Sequence, residues 1–597
     1  MAMKKSGLQF VNPYNFVSVD WNDIERKDIV ERVGELTGVM SCKLYTRSPI
    51  AIPDTVSVKE DSDQHKTYSF MRTVDNKLMI PGSSLRGVLR SVYETASDSC
   101  FVTSDIKQIA TRRSGMRQFG KAYLLSYTDN GWQLKKAERY LIIIDDDRYK
   151  PFRKPEFRDY ERWRDSDLRR HKYGEKIQFD PGEVYINKNG IEVGTVVKKI
   201  SDEGTETGYL YLGEAAPKEA KVRTNKHFES IFVEVRGEKP IPISDMQIDR
   251  LKEIYKQYND PALNRCLTEN HPNYYKGVIE CIEAKKTIPV WYNVQYDNVS
   301  LASIGRIAYQ KTMGDMLGVK RPCIERNSLC KACSLFGMAK DEGKVGSRVR
   351  VTDAVSCGDN TIIPEVTLKE LSSPHISYTP FYLDVKDGAF PSYDTEGATL
   401  RGRKYYWHDL HRNYATSEKT KRNATMDLAD GVKSENRNVF EFKIYFNNIT
   451  QDELEELKWV ITLGENNVNS NKCHKIGHGK PIGLGSVKIT IEDITLRKFD
   501  IGNGTYRNIQ ASLNIENYKN IKEFDKVSCR ELQVITDLLS VTGVSYPFIE
   551  DAVPNDNSTA SHQWFKENWS GENSRIDQKW QIIDKAPKNK FRAYKIT

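Results

Sequence analysis

Within residues 439–462, VFEFKIYFNNITQDELEELKWVIT, the hydrophobic pattern switches from a period of two to a period of 3.6. Phe440, Phe442, Ile444 and Phe446 alternate with polar residues, as in a strand that buries one face. Thr450 and Glu453 follow as a capping box, and Leu454, Leu457 and Ile461 form the apolar stripe of a helix. A half-buried strand running straight into an amphipathic helix needs helices layered on a sheet, so the chain is read as α+β. A weaker echo of the same order, FVEVRGEKPIPISDMQIDRLKEI, occupies residues 232–254.

A second helix is predicted in IPGSSLRGVLRSVYE, residues 80–94. Leu85, Val88, Leu89 and Val92 make its apolar stripe, and Arg86 and Arg90, four apart, share a polar face. Pro81, Gly82, Ser83 and Ser84 form the turn that caps it. Free N–H groups and the positive end of the helix dipole suit such a turn to a phosphate. An ordinary capped core helix is the competing reading.

Two further segments are suited to a polyanion. Between 398 and 425, Arg401, Arg403, Lys404, Arg412, Lys419, Lys421 and Arg422 stand against Asp409 and Glu418, with Tyr405, Tyr406, Trp407 and Tyr414 interleaved. Cations for phosphates and rings for bases suit single-stranded nucleic acid. In KCHKIGHGKPIGLGSVKITI, Gly477, Gly479, Gly483 and Gly485 flank Lys480 and Pro481. No Ser or Thr follows the lysine and a strand follows the loop, which excludes a Walker A loop and a dinucleotide fingerprint. The glycines let backbone approach a phosphodiester, with His474, Lys475, His478 and Lys480 as donors; a glycine-rich β-turn is the plainer alternative.

Three of the ten cysteines cluster in RPCIERNSLCKACSLFG. Cys330 and Cys333 have the spacing with which two thiolates grip one tetrahedral Zn²⁺, and Cys323 can supply a third sulfur. A redox dithiol and unliganded thiols are the alternatives. Upstream of the 80–94 helix, a polar stretch expected to be an extended loop or flap carries Asp54, Asp61, Asp63 and His65, groups able to hold Mg²⁺ or move protons.

Length and charge set the outer limits. At roughly 100–200 residues per domain, 597 residues make about three or four domain-sized units. A net charge of +8 is compatible with nucleic acid. No apolar run approaches the ~18 residues of a membrane span, and the start MAMKKSGLQF lacks an apolar signal region. The expectation is a soluble, cytoplasmic protein with no membrane partner. Strand-like runs (AYLLSY, YLIIID, EVYI, GYLYL, SIFVEV) dominate residues 101–320. A helical run is expected over Ser528 to Leu539, followed by a polar tail with Trp564, Trp569 and Trp580.

Four pieces in order resemble the RAMP superfamily of CRISPR-associated proteins, in particular the backbone subunits of type III effector complexes. They are IPGSSLRGVLRSVYE, CSLFG with GSRVRVTDA, RGRKYYWHD and GHGKPIGLGSVKI, and they span about residues 80–490. The resemblance implies a ferredoxin-like, RRM-type β-α-β-β-α-β core over 1–100 and 321–498. A mainly β insertion would occupy 101–320 and a C-terminal extension 499–597. It implies a subunit that binds a guide RNA, meets complementary target RNA and stacks with sister effector subunits in antiviral defence. Ser83, Ser84, Arg86 and Arg90 would face guide phosphates, Arg401, Arg403 and Lys404 would support guide or target backbone, and His474 and Lys480 would lie with the glycine loop against the guide. Cys100, where the chain would leave the core, becomes the candidate fourth ligand beside Cys323, Cys330 and Cys333, with Cys281 and His271 as rivals.

Some relatives cut target RNA with an aspartate in the loop before this helix. Asp63 is the corresponding candidate here, with Asp54 in reserve. The reaction would be metal-assisted attack of a ribose 2′-hydroxyl, with Mg²⁺ as the ion. Two other readings compete. One is a stand-alone guide-processing endoribonuclease using His65, His474 or His478 as general base; the other is a zinc-stabilised RNA-binding protein outside CRISPR immunity.

Overall fold

The structure, a computed structural model, describes residues 4–106, 109–113, 120–144, 155–168, 170–186, 190, 192–213, 228–259, 275, 277–294, 297–302, 306–339, 343–372, 376, 378–384, 393–431, 438–548, 561, 563–565 and 590–595. The chain divides into two compact units, residues 1–107 with 313–597, and residues 108–312.

The first unit carries the elements that matter for the site. In chain order they are β1 (Tyr14–Val17), β2 (Leu36–Thr46), α1 (Gly82–Ala96), α2 (Lys331–Phe336), β3 (Val349–Val351), β4 (Ala354–Cys357), β5 (Arg403–Tyr406), β6 (Val439–Ile449), α3 (Gln451–Thr462), β7 (His474–Lys475), β8 (Ser486–Asp500) and α4 (Lys526–Ile535). The main sheet runs β7–β8–β2–β6–β4, with β3 also on β6 and each neighbour antiparallel. Along the chain β2, α1, β4, β6, α3 and β8 read strand, helix, strand, strand, helix, strand.

The core follows from the patterning. In β6 the side chains of Phe440, Phe442, Ile444 and Phe446 are buried while Glu441, Lys443 and Tyr445 are exposed. They pack with Met40 and Leu44 of β2, Leu85 and Leu89 of α1, and Leu457 and Ile461 of α3. Each such side chain removed from water contributes about 1.5–3 kcal/mol. The α3 capping box is formed: the Thr450 hydroxyl accepts from the Glu453 N–H, and the Glu453 carboxylate accepts from the Thr450 N–H. Leu463, at φ 56°, then closes the helix in the left-handed region.

Several expectations are corrected. Val88 is only partly buried, so the α1 core stripe is Leu85, Leu89 and Val92. The C-terminal helix stops at Ile535 rather than Leu539, where Asp537 turns to pair with Lys472 at 2.7 Å. The stretch expected to be a flap is partly sheet: Lys59–Glu60 pairs with Lys66–Tyr68, which adds in parallel to Ala424–Ala429. Trp564 is buried against Phe10, Tyr378, Phe381 and Phe565, whereas Trp569 and Trp580 lie outside the described residues.

In the second unit the described residues form a ten-stranded sheet whose main path runs Glu192–Ile200, Lys176–Ile186, Glu206–Tyr211, Phe228–Glu234, Gly131–Ile144, Lys121–Thr128, Ile288–Asn293 and Asn298–Ser300. Leu124, Leu134, Ile231 and Ile288 of the sheet pack with Leu251 and Ile254 of the helix Asp245–Asn259. Among the described residues no helix is long and apolar enough to cross a membrane.

Candidate functional site

A groove of about 640 Å³ in the first unit brings together α1, β5 and the glycine loop between β7 and β8. The α1 wall is made by Ser84, Gly87, Val88 and Ser91. Ser84, Gly87 and Ser91 are exposed and recur at helical spacing, so a ligand can come close to the helix backbone. A Cβ added at Gly87 would meet nothing within 4 Å. Gly87 and Ser91 were absent from the sequence-based site; their spacing on one helix face, beside Ser84, is the signal that points to them. Ser83 is exposed at the start of the same helix. The helix cap is not a serine: Gly82 N donates to Asp353 Oδ1 at 2.7 Å, so a carboxylate of the protein already occupies one of the expected phosphate-facing amides.

The opposite wall is cationic and aromatic. Lys404 of β5 holds its ammonium 4.0 Å from the Tyr14 ring centroid and 5.0 Å from that of Tyr406. Burial lowers its pKa to about 8. Tyr405 Oη lies 2.7 Å from Thr95 Oγ1 and donates to Ser91 O at 3.0 Å, tying β5 to α1.

The glycine loop supplies the rest. Three of its amides are spent on the protein: His478 N donates to Ala51 O, Gly485 N to Pro49 O and Leu484 N to Gly479 O. Gly485, at φ 82°, lies against the Ile476 carbonyl, where any Cβ would collide. The side chains of His478 and Lys480 both line the groove, with pKa values lowered by burial. Lys475 also lines it and donates to Gly483 O at 3.1 Å and Leu484 O at 2.8 Å; burial brings its pKa down to about 7.

Other named residues turn elsewhere. Arg86 donates to Phe336 O, and Arg90 pairs with Glu94 at 2.7 Å and donates to Gly337 O at 3.0 Å. Arg403 is buried, pairs with Glu94 at 3.4 Å, donates to Ser99 O and Cys100 O, and stacks 4.0 Å over Phe101. Arg401 donates through Nε to Pro380 O at 3.2 Å. His474 lines the groove but is buried, its Nε2 3.0 Å from Ile461 O, with a pKa lowered to about 4 by burial. His65 is buried with its two ring nitrogens engaged, by Thr420 O and Thr425 Oγ1.

Asp63 is exposed in the turn before His65, its N–H donating to Asp61 Oδ1. Asp54 directly follows the groove residue Pro53, but its carboxylate is engaged by Val56 N and Ser57 Oγ, which lower its pKa, the Ser57 hydroxyl most. Neither joins a metal-binding group: among the described residues the clustered ligand set is that of the cysteines.

That set is Cys100, Cys323, Cys330 and Cys333, all buried, with sulfur atoms within 4.8 Å of one another. Cys100 Sγ lies 3.5 Å from Cys333 Sγ and 3.6 Å from Cys330 Sγ. Four thiolates around zinc at about 2.3 Å stand roughly 3.8 Å apart, so the four sulfurs could hold such an ion. Hydrogen bonding to Cys100 pulls Cys323 down to about 7 and Cys330 well below the ordinary thiol value, while hydrogen bonds within the same set raise Cys100 and Cys333 above it. Cys330 N donates to Cys323 Sγ at 3.3 Å and Arg90 Nη2 to Cys333 Sγ at 3.7 Å, an outer layer that orients the sulfurs. Cys281, in the second unit, donates instead to Tyr173 O, and His271 lies outside the described residues.

Residues 43–239 match the family model of the RAMP superfamily. The match covers β2 from Lys43, all of α1 and part of the second unit, and supports a CRISPR-associated, RNA-binding protein. No curated protein matches the chain.

Proposed function

We propose that this chain binds guide RNA as a backbone subunit of a type III CRISPR ribonucleoprotein, beside sister subunits and complementary target RNA, in antiviral defence. The observation that carries the reading is the groove, where α1, β5 and the glycine loop, far apart in sequence, present Ser84, Lys404, His478 and Lys480 together. Small residues on one wall and cations beside rings on the other suit an RNA backbone with bases to stack. The strand order β8–β2–β6–β4 supports a ferredoxin-like core. On this reading Ser83, Ser84, Lys404 and Lys480 meet phosphates. Arg86, Arg90 and Arg403 fasten α1 to the cysteine block, which holds a structural Zn²⁺.

Co-expression with a CRISPR array and neighbouring genes, then pull-down and sequencing of the bound RNA, tests the proposal. Discrete guide-length RNA is expected; random or no RNA overturns it. Target cutting is tested on the same complex with labelled complementary RNA and Mg²⁺, comparing Asp63→Ala and Asp54→Ala with wild type. The stand-alone nuclease reading predicts metal-free cleavage of repeat RNA by this chain alone. It has less support, because His65 and His474 are buried and His478 alone of the three is a groove residue that is not fully buried.

A further inference from the structure

A second cavity, of about 280 Å³, adjoins the groove and shares Lys404, Tyr406, His478 and Lys480 with it. Its remaining walls include Asn12, Tyr14, Tyr546 and Phe565, with Ser372 at one side. Four aromatic rings and two lysines therefore surround a space close to the lower end of the ~300–1,000 Å³ range of small-ligand sites.

The rings are held in place. Tyr14 Oη lies 2.9 Å from Tyr382 Oη, and the Tyr14 and Tyr406 rings meet edge to face at 6.2 Å. The Arg412 guanidinium lies 5.6 Å from the Tyr546 ring centroid, and Phe565 packs on Tyr378 at 5.1 Å. Asn12, buried, spends its amide nitrogen on Tyr14 O at 3.0 Å, which leaves its amide oxygen as the acceptor for a ligand. A preformed aromatic box costs a ligand little reorganisation. Lys404 and Lys480, common to both cavities, stand where a strand in the groove would turn a residue out of line.

We infer that this cavity receives one base of the bound RNA, unstacked from its neighbours and enclosed by the Tyr14, Tyr406, Tyr546 and Phe565 rings, with its phosphate held between Lys404 and Lys480. This rests on the groove being the RNA site. A base carrying an exocyclic amino group has a donor for the Asn12 oxygen. The rings themselves accept any base, because every base has a π face.

The test uses the full chain and single-stranded RNAs carrying one 5-iodouridine at successive positions. Photocrosslinking is expected to reach Tyr546 or Phe565 from one position and not its neighbours. Ser372→Trp, which fills the cavity, and Phe565→Ala, which removes a wall, are each expected to weaken RNA binding about tenfold and to abolish that crosslink, with melting temperatures checked for intact folding. Ser84→Glu, at a residue of the groove that is outside the second cavity, reports on the groove itself. If RNA binds, Ser84→Glu weakens it, and yet no crosslink reaches the cavity and both cavity variants bind like wild type, the base pocket is overturned while the groove reading stands. If the chain binds none of the RNAs, the groove reading falls, and the pocket with it.

Discussion

Cys100 Sγ lies 3.5 Å from Cys333 Sγ, although they are 233 positions apart, with the whole second unit between them in sequence. Where the chain leaves the first unit and where it returns, two buried sulfurs meet, and Cys323 and Cys330 complete the set. The cluster thus adds to the Phe101 N–Lys320 O hydrogen bond and the Asp98–Lys320 pair in joining the segments that flank the 205-residue unit, and a metal there would tie the segment after α1 to the start of α2.

Purified protein is expected to carry one zinc per chain by elemental analysis. Cys100→Ser or Cys333→Ser should release it and lower stability by on the order of 4 kcal/mol or more, read as a fall in melting temperature. Retention of the metal in both variants would exclude the four-sulfur site.

Arg403→Ala removes one of the two cations paired with buried Glu94, the other being Arg90 at 2.7 Å, and the donor to Ser99 O and Cys100 O. Leaving a buried acceptor without its donor costs about 1–3 kcal/mol. Chemical denaturation should show that loss. RNA affinity per folded molecule should stay near wild type, in contrast to Lys404→Ala, which should weaken binding while leaving stability nearly unchanged.

RNA affinity should fall as pH rises through about 8. Lys404 attracts phosphate only when protonated, and burial has brought its pKa down to about 8, so the charged fraction drops across that window. In Lys404→Arg the guanidinium stays charged throughout, and the affinity measured by fluorescence anisotropy should decline less steeply. Lys480→Ala should also make binding less salt-dependent, the slope of log affinity against log salt falling by about 0.7 because one fewer phosphate of a single strand is neutralised.

Gly485→Ala places a Cβ against the Ile476 carbonyl at a backbone φ of 82°. A cost of about 1–3 kcal/mol from strain is expected, together with weaker RNA binding as His478 and Lys480 shift. Gly87→Ala, with open space around it, should leave stability unchanged or slightly raised.

Local pattern made much of this fold legible. The alternation Phe440 to Phe446 and the Thr450–Glu453 box specify β6 and α3 because side-chain period and capping are properties of a few adjacent residues. The Cys-x-x-Cys spacing likewise marked two members of the buried four-sulfur cluster. Charge patterning was a poorer guide to the groove. Arg403 and Lys404 are neighbours in one basic stretch, yet one is sealed by Glu94 and two carbonyls while the other stands over Tyr14 at the cavity.

The sequence by itself determined the strand–helix unit, the glycine loop and the close spacing of Cys323, Cys330 and Cys333, since each depends on residues close together along the chain; Cys100 was named beside them only through the family resemblance. Tertiary structure alone decided which basic residues line the groove. It placed Cys100 beside Cys333, put Gly87 and Ser91 opposite Lys404, and built a cavity from Asn12, Tyr546 and Phe565. The reason is physical: whether a cation is free for phosphate depends on which carbonyls and carboxylates pack against it, and those partners come from segments hundreds of residues away.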